Sequence, residues 1–294
     1  MSEMPESGMA TAGQAGSSHN DQNVRWLTGW LEETEALQAL SEGKYGPGPF
    51  PVPAEFQLRA REARAAVAER EPFNPRSAIL PQAEGDAALN GAASRQGIRA
   101  IFQGFPVRVQ YVDLSKVIAV QKMVVADGLH ERVTGITRDS PELLELCLPA
   151  QPQSAPIDVM TDADGRSVTF SSLNPNLRFQ GYQFAPGGGA VTFVVGLGSP
   201  YLTVVELRGR FFLRDGHHRA LALLAAGVTA VPAVIVTGAS YSDVATVPGL
   251  LSPQVALSDH PPMVTDFLDE RVSDAGVRRH PRKITRISVS DFAV

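Results

Sequence analysis

The feature that most constrains the fold is a strand–helix–strand pattern, FFLRDGHHRALALLAAGVTAVPAVIV, over residues 211–236. Its apolar start is typical of a buried strand, the alanine- and leucine-rich part predicts a helix, and Gly227 stands where that helix would end. The apolar VPAVIV that follows predicts a second buried strand. The most polar residues of the segment lie between the first strand and the helix, and the pattern is consistent with either a site or a simple turn.

The composition narrows the class of protein and its partners. Of the 294 residues, 44% are hydrophobic and 19% are charged, which is typical of a globular protein with a sizeable core. The net charge of −5 does not favour nucleic acid as a partner, because proteins that bind it neutralise phosphates with basic residues. No apolar run approaches the roughly 20 residues that span a bilayer, and the N-terminal stretch carries no apolar signal region. We therefore expect a cytoplasmic protein with no membrane partner.

The single cysteine, Cys147, excludes an intramolecular disulfide and a paired-cysteine metal or redox site. It stands in SPELLELCL, which predicts a short helix with Ser140 as N-cap and Pro141 at the first position. The apolar spacing of that helix and the absence of a nearby basic residue in sequence predict a buried structural thiol rather than a reactive one.

Changes in residue composition and apolar spacing predict how the chain is organised. Gly- and Ser-rich residues open the chain, helical spacing covers 23–43, 54–71 and 85–103, and β-branched and aromatic residues begin at 105. We predict a disordered tail over 1–21, a helical N-terminal extension over 22–105, a core over 106–238 with a β-rich insertion near 150–196, and a C-terminal extension over 239–294. The fold class predicted is α/β (α+β), with a mixed sheet and helices.

The corner at Asp215–Arg219 has the properties of an anion site. The first N–H groups of a helix have no intrahelical partner and carry the positive end of its dipole. Gly216 lets the backbone turn and approach a ligand closely, and Arg219 offers a planar fork suited to phosphate oxygens. In the alternative, structural interpretation, Asp215 caps the helix, Arg219 pairs with an acid such as Glu206, and the histidines fill space. The clustering of four polar residues favours the anion site.

The stretch LRDGHHRALALLAAG…VPAVIV resembles the ParB/sulfiredoxin-like superfamily. Gly216, His218 and Arg219 match the Gly-Cys-His-Arg of sulfiredoxins, and Asp215 matches the Asp-Gly-x-His-Arg of the free-serine kinases. The resemblance implies a ParB/sulfiredoxin-like mixed sheet and a corner that cradles nucleotide phosphates: CTP in ParB, ATP in sulfiredoxin, ADP or ATP in the kinases. His217 stands where sulfiredoxins have their cysteine, so the covalent chemistry of that enzyme is absent.

A second stretch, YVDLSKVIAVQK, is similar to the opening strand of the superfamily. Gln121 and Lys122 stand near the place where ParB carries a Gln and an Arg that face the nucleotide. No helix-turn-helix domain is recognisable after Val236, which argues against a role in DNA partitioning.

Two hypotheses about function follow. In the first, the corner transfers or hydrolyses a phosphoryl group of ATP, ADP or CTP, with Mg²⁺ as a further cofactor; Asp215 holds the ion or orients a hydroxyl, and His218 transfers a proton. Asp113 is the other candidate for the carboxylate base. In this hypothesis the nucleotide contacts come from Gly216, His217, His218, Arg219, Gln121 and Lys122.

In the second hypothesis the chain is a non-catalytic nucleotide-sensing or protein-interaction module, whose terminal extensions dock another protein or a second copy in a homodimer. A metal site built from Asp215, His217 and His218 is not predicted, because neighbouring positions at a helix start point in divergent directions.

Overall fold

The structure is a computed structural model that describes most of the chain, namely residues 21–45, 52–81, 86–128, 131, 133–138, 140–150, 156–172, 177–184, 191–197, 199–244, 250–279 and 283–288. The helices are α1 (Glu33–Tyr45), α2 (Ala54–Ala68), α3 (Ala87–Ala93), α4 (Gln96–Ile101), α5 (Pro141–Cys147), α6 (His217–Ala225), α7 (Tyr241–Val244) and α8 (Pro253–Ala256). Short 3₁₀ helices occupy Thr28–Trp30, Leu114–Lys116 and Val264–Leu268.

The strands lie in separate sheets, and together with the helices they confirm the mixed α/β class. They are β1 (Asp21–Trp26), β2 (Val107–Asp113), β3 (Ile118–Ala119), β4 (Met123–Val125), β5 (Asp158–Thr161), β6 (Ser167–Ser172), β7 (Leu177–Phe184), β8 (Val191–Leu197), β9 (Thr203–Leu207), β10 (Arg210–Asp215), β11 (Ala230–Thr237), β12 (Asp274–Arg279) and β13 (Lys283–Ser288).

The largest sheet has the strand order β2-β11-β9-β10-β3. Strand β11 runs parallel to β9 and β3 runs parallel to β10, whereas the other neighbours are antiparallel. The first seven residues of β11 are buried, as expected for a strand covered on both faces. Helix α6 packs its leucines and alanines into the same core, so the predicted strand–helix–strand unit is confirmed.

The residues YLTVVEL and RFFL, joined by RG, predict a hairpin before α6, and the structure confirms it. Strands β9 and β10 are joined by Arg208 and Gly209, whose φ angles are 53° and 73°. Two successive residues with positive φ are the signature of a tight turn whose twist matches that of the paired strands. This turn fixes the register from Arg210 opposite Leu207 to Leu213 opposite Val204, and a shift at Arg214 then brings Asp215 opposite Thr203.

Two other antiparallel sheets and a hairpin complete the described chain. Their strand orders are β12-β1-β4, β13-β6-β5 and β7-β8. The β-rich segment predicted near 150–196 forms β5 to β8. The residues KITRISVSDF predict a further strand in the C-terminal extension, and part of this stretch forms β13. No helix within the described ranges is both long and apolar enough to cross a bilayer.

The structure corrects the sequence prediction in the N-terminal region. The helix predicted over 23–43 is wrong at its start, because residues 21–26 form β1, and α1 begins only at Glu33. Val24 is 1% exposed and lies between β4 and β12, so tertiary pairing overrides the helical spacing. The helix predicted over 85–103 is split into α3 and α4, since the Ser94 hydroxyl donates to the Gly91 carbonyl and Arg95 is extended. Apart from Asp21, the predicted disordered tail lies outside the described residues.

Candidate functional site

The corner between β10 and α6 is built around Gly216. This residue has φ 94° and ψ 19°, a left-handed backbone conformation. Residues that have a Cβ adopt this conformation only at a cost in free energy. A Cβ added at Gly216 would also lie 3.1 Å from the Leu202 Cα atom. The first intrahelical hydrogen bond runs from the Ala220 amide to the Gly216 carbonyl, at 2.9 Å. The backbone therefore turns sharply from the strand into the nine-residue helix, as the sequence predicted.

Arg219 is anchored to backbone carbonyls. Its Nη1 atom donates hydrogen bonds to the carbonyl oxygens of Leu146, at 2.9 Å, and Pro200, at 2.6 Å. Its Nη2 atom lies on the side of Gly216, 3.4 Å from the position that a Cβ there would occupy. Glu206, the acid considered for an ion pair with Arg219, accepts a 2.5 Å hydrogen bond from Arg108 instead.

His217 lies in the interior. It is 2% exposed, and neither ring nitrogen has a hydrogen-bond partner among the described residues. Burial, together with the smaller effect of the charge of neighbouring His218, lowers the pKa of His217 to about 3. The imidazole is therefore neutral at pH 7, and the structure places this predicted ligand-binding side chain in the core.

His218 and Asp215 are half-buried at the corner itself. The backbone N–H of Val125, in β4, donates to Nε2 of His218 over 3.4 Å. The Asp215 carboxylate lies 3.9 Å from Nε of Arg214, whose guanidinium is stacked over the ring of Phe102. Arg214 was not predicted as a residue of the corner, although its place directly before Asp215 in the sequence was a visible signal.

The structure brings the segment with Gln121 and Lys122 to the same end of the sheet. Ile118 and Ala119 of β3 lie beside β10 in parallel register, so Gln121 follows β3 where Gly216 follows β10. The Lys122 ammonium pairs with the Glu35 carboxylate of α1. The segment with Gln121 and Lys122 therefore lies near the corner, and the charge of Lys122 is balanced by Glu35.

The structure does not bring Asp113 to the corner. This residue ends β2, three strand positions from β10, which corresponds to roughly 14 Å across the sheet. Its carboxylate accepts hydrogen bonds from the Ser115 amide and hydroxyl and pairs with Lys116 at 3.2 Å. Burial opposes ionisation, but these contacts outweigh it and lower the pKa of Asp113. Its observed role is to cap the short 3₁₀ helix that follows β2.

A cavity of about 310 Å³ lies at the opposite end of α6, lined by residues 136–138 and 226–230. It is therefore separate from the corner at Gly216. Within the part of the chain that the structure describes, no group of three or more histidine, cysteine or acidic side chains is placed to hold a metal ion.

Comparisons with known proteins add no relative. No protein-family model, curated protein or solved structure gives a significant match to the chain. The resemblance to the ParB/sulfiredoxin-like superfamily thus depends on the residues of the corner and of the segment around Gln121.

Proposed function

We propose that the chain binds the phosphate groups of a nucleotide at the N-terminal end of α6. One observation carries the proposal: β10 passes directly into the helix through a left-handed glycine, at which a Cβ would lie only 3.1 Å from the Leu202 Cα atom. A helix N-terminus opened in this way directs backbone N–H groups and the positive end of the dipole towards an anion. The resemblance of this segment to nucleotide-binding corners supplies the ligand class.

In this proposal Arg219, His218 and His217 have different roles. Nη1 of Arg219 is held by the carbonyls of Leu146 and Pro200, which fixes the guanidinium plane and keeps Nη2 beside Gly216. A fork oriented before the ligand arrives loses little entropy when it binds phosphate. The imidazole of His218, at the second position of α6, would add a hydrogen bond to the phosphate, whereas His217 packs in the interior beneath the corner.

The nucleotide classes follow from the resemblance and are ATP, ADP and CTP. Mg²⁺ is usually held by one or two carboxylates together with phosphate oxygens, and Asp215 is the carboxylate of this corner that fits such a role. Lys122 balances Glu35, so its contribution to a phosphate would depend on release from that pair.

The distance of Asp113 from the corner favours binding over turnover as the primary function. Because Asp113 lies at the end of β2, away from the corner, phosphoryl transfer would depend on Asp215 as the carboxylate and on His218 as the group that moves a proton. The second candidate function, a non-catalytic nucleotide sensor, needs neither step and is favoured by the same distance.

Isothermal titration calorimetry of the full chain with ATP, ADP and CTP, each with and without MgCl₂, tests the proposal. We expect His218→Ala to weaken binding about 3- to 10-fold, as expected for loss of one hydrogen-bonding side chain. Arg99→Ala, an exposed arginine on α4, is the matched control and should leave binding unchanged. If no nucleotide binds, or if both variants bind as the wild type does, the proposal is wrong.

Product analysis by chromatography separates the two candidates once binding is found. Turnover that Asp215→Asn abolishes while binding persists identifies an enzyme. Binding without any product after prolonged incubation identifies the sensor.

A further inference from the structure

The β7–β8 hairpin carries its aromatic residues on a single face. In the antiparallel register Tyr182 is opposite Phe193 and Phe184 is opposite Val191, so these four side chains share one side. A bulge after Phe179 shifts the register by one residue, which puts Phe179 on that side as well. The ring contacts agree, with Tyr182 and Phe184 5.4 Å apart and Phe179 and Phe193 6.2 Å apart. These five residues are called the aromatic face.

The aromatic face is exposed to solvent. Its members are 45% (Phe179), 58% (Tyr182), 68% (Phe184), 45% (Val191) and 45% (Phe193) exposed. With roughly 200 Å² for each aromatic side chain, the face presents about 450 Å² of apolar surface. Patches of about this size are the largest on a typical monomer and are often functional.

The hairpin is also incomplete as a sheet. Strands β7 and β8 pair only with each other among the described strands, and β7 contacts β13 of the neighbouring sheet. A two-stranded hairpin is marginally stable in water, and an apolar face becomes stable when a second layer covers it. The hairpin therefore contacts the neighbouring sheet through β7, while its aromatic face remains exposed.

We propose that the partner is a second copy of this chain, with the two aromatic faces packed against each other about a twofold axis. Two such faces together remove about 900 Å² of apolar surface from water, close to the lower limit of ~1,000 Å² for a specific interface. None of the five residues is charged, so self-association brings no like charges together. The product is a two-layer, four-stranded sandwich with an aromatic core.

Charge favours a second copy over a lipid surface. The chain has a net charge of −5, and an anionic membrane surface repels such a protein. Two copies of the chain also carry charges of the same sign. The five residues in contact are uncharged, however, and salt screens the repulsion between the more distant charges of the two surfaces.

Sedimentation equilibrium of the full chain from about 1 to 100 µM tests the proposal. The variants are Tyr182→Lys and Phe184→Lys, which place a charge in the contact while the side chain remains in solvent in the monomer. Leu58→Lys is the matched control, since Leu58 on α2 has the same 58% exposure as Tyr182. We expect the wild type and Leu58→Lys to show the mass of two 31.4 kDa chains, and each hairpin variant to raise the dimer dissociation constant at least tenfold.

Three results would overturn the proposal. The first is a wild type that remains monomeric throughout the concentration range. The second is a dimer that both hairpin variants form as tightly as the control, which would place the contact elsewhere. The third is a monomer that co-sediments with phosphatidylcholine vesicles and loses this property in Tyr182→Lys, which would assign the face to lipid. Circular dichroism of each variant verifies that the fold is retained.

Discussion

Arg219 and Leu146 join α6 to the end of α5 through a 2.9 Å hydrogen bond from Nη1 to the carbonyl oxygen. The last carbonyls of a helix have no intrahelical donor, and a cation placed near them is favourable. The arginine that the resemblance assigns to phosphate is therefore also the cap of a neighbouring helix. This double role sets the first prediction.

Arg219→Ala is expected to lower the free energy of unfolding by about 2–3 kcal/mol, because the carbonyls of Leu146 and Pro200 lose a charged donor. Chemical denaturation followed by circular dichroism measures the change. Arg99→Ala, on exposed α4, is the control and should differ from the wild type by less than about 0.5 kcal/mol. Equal stability of the two variants would contradict the capping role.

Gly216→Ala is expected to destabilise the fold by about 2–4 kcal/mol, since the new methyl group meets both a left-handed backbone and the Leu202 Cα atom. Gly91→Ala is the matched control on α3, where a Cβ meets nothing within 4 Å. There the substitution should stabilise the helix by about 0.5–1 kcal/mol. Thermal unfolding should move the two midpoints in opposite directions, and a shift of both in the same direction would disprove this account of Gly216.

His217 is expected to make the stability depend on pH. Its pKa is about 3 when folded and 6.5 when unfolded, so between these values the unfolded state binds the additional proton. Stability due to this residue is full above pH 6.5 and is lost as the pH falls. From pH 7 to pH 5 the loss is about 2 kcal/mol.

The measurement is the free energy of unfolding by urea at pH 7 and pH 5. His217→Leu, which has no titrating group, should lose about 2 kcal/mol less than the wild type over this interval. A His217→Leu variant with an unchanged pH dependence would show that the interior histidine does not cause it.

Cys147 is expected to be inert in the folded protein. Burial raises the pKa of its thiol to about 12, although the charge of Arg219 lowers it in part. At pH 8 the native thiol should react with Ellman's reagent on the order of 10³-fold more slowly than the same protein unfolded in urea, because the thiolate is the reacting species. A stopped-flow trace shows the ratio directly, and comparable rates in the two states would mean that the site opens readily.

The elements that the sequence predicted correctly are those whose signal is local. The β9–β10 turn, α6 and β11 each have their pattern within a few consecutive residues, and α5 and β13 were predicted in the same way. Strand β1 was not predicted, because it is stabilised by β4 and β12, about 100 and 250 residues away.

The candidate site was predictable in part for the same reason. The bend at Gly216 is a local property, but the acceptors of Arg219 and the burial of His217 come from distant segments. The position of Asp113 depends on the strand order, which no local pattern encodes. The aromatic face depends on a bulge: without it, Phe179 and Tyr182, three residues apart, would lie on opposite sides of β7.

The β12-β1-β4 sheet has a consequence for biosynthesis. Val24 lies opposite Val125 on one side and Gly276 on the other, so the middle strand of this sheet is translated about 100 residues before β4 and about 250 residues before β12. During translation β1 can pair with β4, but its other edge stays unpaired until β12 has left the ribosome. Closure of such distant segments is slow and leaves an unpaired edge exposed in the nascent chain, which is where we expect chaperone contact to be concentrated.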